Sequence, residues 1–266
     1  MPVLGQGTWG MGEDRAKRQA EIAALQLGLD LEMTLIDTAE MYGEGGAEEV
    51  VGEAIAGRRG DVFLVSKVYP HNATREGAVA ACERSLKRLK TDYLDLYLLH
   101  WLGSVPVSET LEAFRSLKRA GKIQDYGVSN LGKDDMEQAS ALSGGDEVAT
   151  DQVLYNLKRR GIELDLLPWC RERGIPIMAY SPIEQGKLLN NKRLRIVASR
   201  RGATPAQIAL AWVLYQERIV AIPKSSNQAH VRENRAALDL RLTDEDLAEL
   251  NRAFPPPRKK RPLEMI

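Results

Sequence analysis

The sequence contains only two cysteines among its 266 residues. Cys82 and Cys170 both fall in predicted helices, and neither has a second cysteine or a histidine at the spacing of a metal site. We therefore expect no disulfide framework and no bound metal. Two isolated, inert thiols are typical of the reducing cytoplasm, so we expect a cytoplasmic protein.

The sequence also lacks an excess of either charge, because 37 lysines and arginines balance 37 aspartates and glutamates. This balance argues against a nucleic-acid partner and against binding to an anionic membrane surface. No apolar run approaches the roughly 20 residues that a membrane span requires. Residues 1–3 lead directly into a predicted strand rather than a signal peptide. We expect a monomer whose partner is a small molecule.

Strand and helix patterns alternate along the whole chain without a break in composition. Short apolar runs predict eight strands, at 4–8, 34–39, 62–68, 94–100, 124–129, 148–153, 176–181 and 219–223. Helical patterns fill the intervals, at 15–29, 47–58, 74–89, 108–120, 133–142, 163–173, 204–217 and 228–237, and Thr243 is the expected N-cap of a last short helix. Eight such units predict a single α/β domain over residues 1–266, a (β/α)8 or TIM barrel.

The end of the chain has a different character. Residues 255–266 are rich in proline and predict an extended tail over the surface, with a solvated basic cluster at 258–261. No long loop follows the strand at 94–100, and none precedes the C-terminus. We therefore expect a shallow and permissive pocket at the mouth of the barrel.

Three of the predicted strands run into an ionisable side chain. The second strand contains Asp37 and is followed by Tyr42, the third runs into Lys67, and the fourth runs into His100. The carboxyl ends of the strands in a parallel barrel meet at one face, where active sites form. Each residue alone has an ordinary interpretation, as a cap, a surface lysine, loop packing or a core histidine. Together they predict a catalytic set.

The chemistry of that set is the delivery of a proton by a tyrosine. A free phenol has a pKa of about 10 and is a poor acid at neutral pH. A lysine such as Lys67 beside Tyr42 favours the phenolate, so we expect it to lower the pKa of Tyr42. Asp37 would keep Lys67 charged and in place. His100 would donate a hydrogen bond to a carbonyl substrate and orient it.

Six motifs, in order along essentially the whole chain, resemble the aldo-keto reductases. They are 5–9 (GQGTW), 36–43 (IDTAEMYG), 65–67 (VSK), 98–101 (LLHW), 127–130 (GVSN) and 222–225 (IPKS). The sequence is most similar to bacterial reductases of methylglyoxal, diketogluconate and other small carbonyls. The resemblance implies that Asp37, Tyr42, Lys67 and His100 are the catalytic tetrad, with Tyr42 as the general acid.

The cofactor leaves no Rossmann fingerprint, because residues 43–46 (GEGG) lack the GxGxxG spacing and predict only a turn. The resemblance implies NADPH lying extended across the barrel mouth, with NADH as a weaker alternative. The residues implied to bind it are Ser129, Asn130 and Gln152 at the carboxamide, Tyr180 against the nicotinamide ring, Ser181 and Gln185 along the pyrophosphate, Lys224 and Ser225 at the 2′-phosphate, His230 nearby, and Glu233 and Asn234 at the adenine.

The chain departs from the family pattern in three places. It lacks the usual N-terminal hairpin, His230 stands where relatives often have arginine, and Asp151 stands where most have asparagine. The arginine is the usual partner of a 2′-phosphate, so His230 weakens the case for strict use of NADPH. A carboxylate at Asp151 is positioned to disturb the carboxamide site beside it.

The resemblance implies reduction of small aldehydes and ketones to alcohols by NADPH. It also implies a pocket lined by Trp9, Tyr69 and Trp101, and such aromatic walls favour small carbonyl compounds without selecting one. An alternative is a nicotinamide-binding regulatory barrel with slow turnover. A phosphate-binding barrel isomerase is a further alternative, but no glycine-rich phosphate site follows the last strands.

Overall fold

Eight parallel strands form one sheet in sequence order in this computed structural model, which describes residues 1–266. The strands are β1 (Gly5–Gly7), β2 (Leu35–Asp37), β3 (Phe63–Val68), β4 (Leu94–Leu99), β5 (Ile123–Ser129), β6 (Asp151–Leu154), β7 (Ile177–Tyr180) and β8 (Ile219–Ala221). Bridges between Leu4 and Ala221 and between Gly7 and Lys224 join β8 to β1 and close the barrel. The predicted (β/α)8 fold is confirmed, and β1 is the first element of the chain.

Ten α-helices surround the barrel. They are α1 (Arg18–Asp30), α2 (Gly46–Ala54), α3 (Arg75–Leu89), α4 (Val107–Arg119), α5 (Lys133–Ser140), α6 (Leu166–Glu172), α7 (Lys192–Arg201), α8 (Pro205–Tyr215), α9 (Gln228–Ala236) and α10 (Asp244–Ala253). None of them combines the length and the apolar character that crossing a bilayer would require.

Helix α7 was not predicted. Its sequence is dominated by lysine and arginine, and only Leu194, Val197 and Ala198 are buried. The helix begins where the side chain of Asn191 accepts hydrogen bonds from two backbone N–H groups, and it ends at Gly202 with φ 60°. An apolar stripe this narrow gives little helical periodicity in the sequence. The capping residues are therefore the main sequence evidence for this helix.

The barrel interior is filled by a small cluster of apolar side chains. Its members are Leu35, Val65, Leu96, Leu98, Met178, Val220 and Ile222. A larger core of 61 buried residues lies between the sheet and the helices. Alternate residues of a strand point to opposite faces of the sheet. Asp37 and Lys67 each come two residues after a member of this cluster, Leu35 and Val65, so they also point into the barrel, above the cluster. The interior cluster therefore forms the floor beneath the barrel mouth.

The tail turns back toward the barrel mouth instead of ending on the outer surface. Residues 255–266 form neither helix nor strand. Lys260 Nζ lies 3.3 Å from Asp134 and 3.1 Å from Asp165. The last two residues, Met265 and Ile266, line the cavity at the barrel mouth. The tail therefore contributes two residues to the wall of this cavity, which the sequence analysis did not predict.

Candidate active site

The four residues of the predicted tetrad meet at the carboxyl ends of β2, β3 and β4. Parallel register places Asp37 beside Val65 and Lys67 beside Leu98, so their side chains enter the barrel at neighbouring strand ends. Tyr42 follows β2 in a short 3-10 turn whose next residues have φ of 57°, 54° and 94°. Two of these three left-handed positions are glycines, which adopt that conformation without strain. The predicted turn at 43–46 thus fixes Tyr42 over the strand ends.

Lys67 is the centre of the tetrad. Its Nζ lies 2.8 Å from Asp37 Oδ1, 2.8 Å from the carbonyl oxygen of Thr38 and 3.3 Å from the hydroxyl of Tyr42. Burial alone would lower the pKa of Lys67. The charge of Asp37 and, to a smaller extent, Tyr42 outweigh burial and raise the pKa above its ordinary value. The amine therefore stays charged beside the phenol.

The pKa of Tyr42 moves in the opposite direction to the one predicted. Burial raises it, and this effect exceeds the lowering by Lys67, while Asp37 adds a further increase. The sequence shows that the lysine is near but not how completely the phenol is removed from water. The result is a tyrosine that holds its proton, with a cation in place to stabilise the phenolate once the proton has left.

His100 supplies a neutral imidazole. Burial, with a contribution from the charge of Lys67, lowers its pKa to about 2. Its ring packs edge-on against Tyr42, with centroids 5.6 Å apart, and lies 4.7 Å from the ring of Trp101. A neutral imidazole has one N–H to donate, so His100 can offer a hydrogen bond to a carbonyl oxygen without adding charge to the site.

The residues predicted to bind the carboxamide form a hydrogen-bonded chain that ends on the tetrad. The hydroxyl of Tyr180 donates to Asn130 Oδ1 at 2.9 Å, and Asn130 Nδ2 donates to Ser129 Oγ at 3.1 Å. Ser129 Oγ donates to the backbone oxygen of Gln152 at 2.8 Å, and Gln152 Nε2 donates to Asp37 Oδ1 at 2.7 Å. The two groups of residues are therefore one connected site.

A cavity of about 560 Å³ opens above this network. Sixteen of the predicted site residues line it: Trp9, Asp37, Tyr42, His100, Trp101, Ser129, Asn130, Gln152, Tyr180, Ser181, Gln185, Lys224, Ser225, His230, Glu233 and Asn234. The two others lie behind the wall. Lys67 reaches the cavity through Tyr42, and Tyr69 packs against Trp101 with ring centroids 5.1 Å apart.

The geometry of this site matches the family that the motifs resemble. The model of the aldo/keto reductase family matches residues 3–254. The chain belongs to the aldo/keto reductase family. The protein is accordingly an oxidoreductase.

Individual members of the family cover almost all of the chain. The protein named methylglyoxal reductase YeaE of Escherichia coli K12 is 52% identical over 271 residues, which is 100% of this chain and 95% of that protein. The glyoxal reductase of Bacillus subtilis is 34% identical over 254 residues, which is 94% of this chain and 88% of that protein. An aldo-keto reductase from Klebsiella pneumoniae, solved in complex with NADPH, superposes with a TM-score of 0.98 at 51% identity, covering 100% of this chain and 95% of that one.

At the far end of the cavity, this reductase presents the residues predicted for the adenosine half. Ser225 Oγ accepts a hydrogen bond from the backbone N–H of Asn227 at 3.0 Å, and Asn227 caps α9 through Ala229 at 2.8 Å. Lys224 and His230 are both exposed beside this helix start. A cation and free backbone N–H groups at a helix N-terminus are suited to a phosphate.

Asp151 lies outside the reductase cavity. It is completely buried, and its Oδ1 accepts a hydrogen bond at 3.5 Å from the backbone N–H of Leu131, whereas its Oδ2 has no partner. Burial raises its pKa well above the ordinary value, which favours the neutral carboxylic acid. The cavity lining includes Gln152 but not Asp151, so this side chain does not face the predicted carboxamide site.

Sequence reasoning missed several residues that line the cavity. They are Gly7, Thr8, Met41, Pro182, Ile183, Gly186, Leu189, Thr204, Pro205, Ala206, Ile222, Pro223, Met265 and Ile266. The informative pair is Met265 and Ile266, because they come from the tail. A signal was present, since the charged tail ends in an apolar segment, 262–266 (PLEMI), that a solvated tail would not need.

Proposed function

We propose that the protein reduces small aldehydes and ketones to alcohols with NADPH, and that Tyr42 donates the proton. The observation that carries this proposal is the Tyr42 hydroxyl, held 3.3 Å from the Lys67 ammonium in a cavity that also contains the carboxamide-binding set. The names of the similar proteins point to dicarbonyls such as methylglyoxal and glyoxal as the first substrates to test.

The residues present fit a nicotinamide dinucleotide. Gln152 Nε2 donates its hydrogen bond to Asp37, so Gln152 Oε1 is left to accept a hydrogen bond from a carboxamide. Ser129 and Asn130 line the same cavity. Tyr180 offers a ring of suitable size for stacking on the nicotinamide. At the other end, Lys224, Ser225 and His230 would bind the 2′-phosphate, and Glu233 and Asn234 the adenine. Ser181 and Gln185 would follow the pyrophosphate between them.

NADPH, when bound, supplies the hydride that reduces the carbonyl carbon. Tyr42 donates its proton to the carbonyl oxygen as negative charge develops there, and Lys67 stabilises the phenolate that remains. Asp37 holds Lys67 in position through a contact of 2.8 Å. Neutral His100 donates a hydrogen bond that orients the carbonyl oxygen toward Tyr42. No step requires a metal ion, because the phenol and the imidazole stabilise the developing charge.

Trp9 and Trp101 form the substrate wall, and Tyr69 supports Trp101 from behind. Apolar aromatic surfaces suit small carbonyl compounds. We further propose that the protein acts in the cytoplasm, in keeping with two buried free cysteines, and that it is a monomer. The alternative of a regulatory barrel with slow turnover is disfavoured by the complete Tyr42, Lys67, Asp37 and His100 set.

The test is a panel of aldehydes and ketones assayed by the loss of NADPH absorbance, with NADH measured in parallel. We expect turnover of small dicarbonyls with NADPH and weaker turnover with NADH. A matched assay of the Tyr42→Phe variant separates turnover by this site from contaminating activity. NADPH binding without turnover of any member of the panel would favour the regulatory alternative.

A further inference from the structure

Two segments that cover the cavity are held by one guanidinium group. Arg159 lies in the loop between β6 and α6, and its Nη2 and Nε are 2.8 and 2.9 Å from Oε1 of Glu184. Its Nη1 is 2.6 Å from Oε1 of Glu264. Glu184 belongs to the loop after β7, and Glu264 belongs to the tail, so Arg159 joins two elements that are distant in sequence.

The loop after β7 depends on these contacts for its shape. Ser181, Glu184 and Gln185 have φ of 48°, 50° and 53°, a left-handed conformation that is strained for residues with a side chain. Asn156 donates hydrogen bonds of 2.9 Å to the backbone oxygen of Ser181 and to Oε2 of Glu184. Arg159 binds the other carboxylate oxygen. The loop is therefore fixed from the side by buried polar groups.

The tail is the other segment that Arg159 holds. Met265 and Ile266 directly follow Glu264 and line the same cavity as the catalytic residues. Tyr180 lines the cavity with them, and the backbone N–H of Ile266 partly offsets the rise in the pKa of Tyr180 that burial causes. Lys260 anchors an earlier part of the tail, so Arg159 is the ion-pair anchor next to the cavity.

We propose that Arg159 is a positioning residue that couples cofactor binding to closure of the substrate pocket by the tail. The proposal rests on the proposed function, which places a dinucleotide against Ser181 and Gln185. A dinucleotide bound there restrains the loop that carries Glu184, Glu184 restrains Arg159, and Arg159 holds Glu264. Coupling of this kind is reciprocal, so a docked tail also favours the bound dinucleotide.

The two arms of Arg159 differ in strength, and this sets the size of the effect. The side chain of Glu184 is 2% exposed, whereas that of Glu264 is 36% exposed. Partly exposed ion pairs are worth little, so the tail undocks readily, and we expect a coupling of about two- to fivefold. The ion pair between Arg159 and Glu184 should persist when the ion pair between Arg159 and Glu264 breaks.

Limited trypsin digestion tests the coupling without requiring turnover. Lys259 and Lys260 are cleavage sites in the tail, and release of the C-terminal peptide is followed by mass spectrometry, with NADPH binding measured by fluorescence in the same samples. In the wild type, NADPH should slow release about two- to fivefold. In Arg159→Met, NADPH should still bind but should no longer slow release. Glu249→Gln is the control, because Glu249 also pairs with arginine but lies on α10.

A second variant guards against loss of folding in Arg159→Met. Glu264→Gln removes only the tail arm, so it should raise KM for a small dicarbonyl about two- to fivefold and leave kcat near the wild-type value. Protection that is absent in the wild type, or that persists in Arg159→Met, overturns the coupling. A KM for Glu264→Gln equal to that of Glu249→Gln does the same. Failure of the wild type to bind NADPH would overturn the proposed function as well, and the fluorescence signal reports it separately.

Discussion

The two walls of the cavity are built in different ways. One wall, which we call the tetrad wall, consists of Asp37, Tyr42 and His100 together with Lys67 directly behind Tyr42, all on or shortly after strands β2 to β4. Its groups contact one another at 2.8 to 3.3 Å, and Lys67 is completely buried. The other wall, the loop wall, consists of the loops after β5 to β8 and the tail 255–266, whose last residues are more than half exposed.

The difference separates chemistry from access. Strand ends in a closed barrel are rigid, and reacting groups need fixed positions, so the proton donor and its partners lie there. Loops tolerate variation and movement, and they contact the parts of the ligands that do not react. Substitutions on the tetrad wall should therefore reduce kcat, whereas substitutions on the loop wall should change binding. Variants of single residues on each wall test this division.

Lys67→Met should cause the largest loss, because it affects both catalysis and folding. It removes the cation that stabilises the phenolate of Tyr42, so kcat should fall by at least roughly 10²–10⁴-fold. It also leaves the Asp37 carboxylate buried without its ion partner, although the variant no longer buries the lysine charge, so the two effects on stability partly cancel. Steady-state kinetics and thermal unfolding measure the two effects.

The control for this variant is Lys67→Met combined with Asp37→Asn, which removes the uncompensated carboxylate. The double variant should recover stability but not activity. A Lys67→Met enzyme with unchanged kcat and an unchanged pH–rate profile would show that Tyr42 is not tuned by this lysine.

Tyr42→Phe should reduce kcat by roughly 10²–10⁴-fold, because no other group in the tetrad wall has a proton to give at that position. NADPH binding should be nearly unchanged, since the residues predicted to hold the cofactor are all outside the tetrad. Fluorescence titration and turnover of a slow-reacting aldehyde check the two halves of this prediction. If the variant retained more than about a third of the wild-type kcat with chemistry rate-limiting, Tyr42 would not be the general acid.

Asp151→Asn should stabilise the protein, because it replaces a buried carboxyl group by a neutral amide. The folded-state pKa of Asp151 is raised above the unfolded value of about 4, so wild-type stability declines as pH rises above that value toward the folded-state pKa. The gain should therefore be small near pH 4 and grow as pH rises toward neutrality. It should reach about 1–3 kcal/mol, the range for an unsatisfied buried group.

Chemical denaturation at several pH values measures this gain. Exposed Asp92→Asn is the matched control and should show no such pH dependence. Turnover should be unchanged in Asp151→Asn, since the side chain points away from the cavity. An equal effect of Asp151→Asn at acidic and neutral pH would mean that the carboxyl group is not neutral in the folded protein.

The tetrad wall was predictable from sequence because strand position determines it. Apolar runs that end in Asp37, Lys67 and His100, together with parallel order, place three side chains at one face. Strand alternation also indicates that Asp151 must point away from the face that Gln152 enters. Local pattern and strand order are sufficient for such residues.

The loop wall was less predictable because its contacts are not local. The docking of the tail depends on a pair, Arg159 and Glu264, that is separated by 105 residues, and no periodicity connects them. The raised pKa of Tyr42 depends on a balance between burial and the charge of Lys67, and the sequence gives the presence of both effects but not their sizes. Quantities that depend on packing depth require the structure.

The smallest predicted effect is on the loop wall, at His230. Arginine keeps its charge throughout the physiological range, whereas a histidine side chain is charged only in the acidic part of it. If His230 faces the 2′-phosphate, His230→Arg should tighten NADPH binding at least several-fold at alkaline pH, since a charge-assisted contact is worth roughly 1.5–3 kcal/mol. NADH binding and kcat should stay nearly constant. Lys224 also lies beside this site, so the wild type should still prefer NADPH over NADH, by a margin that shrinks as pH rises through the physiological range.

Fluorescence titrations of NADPH and NADH with both proteins across this range measure the effect. The 2′-phosphate itself gains charge near pH 6, so the arginine variant serves as the control for that change in the ligand. Equal NADPH affinity of the two proteins at high pH would place His230 away from the 2′-phosphate. A fall in kcat at saturating cofactor would contradict the division itself, because a loop-wall residue would then be contributing to the chemical step rather than to binding.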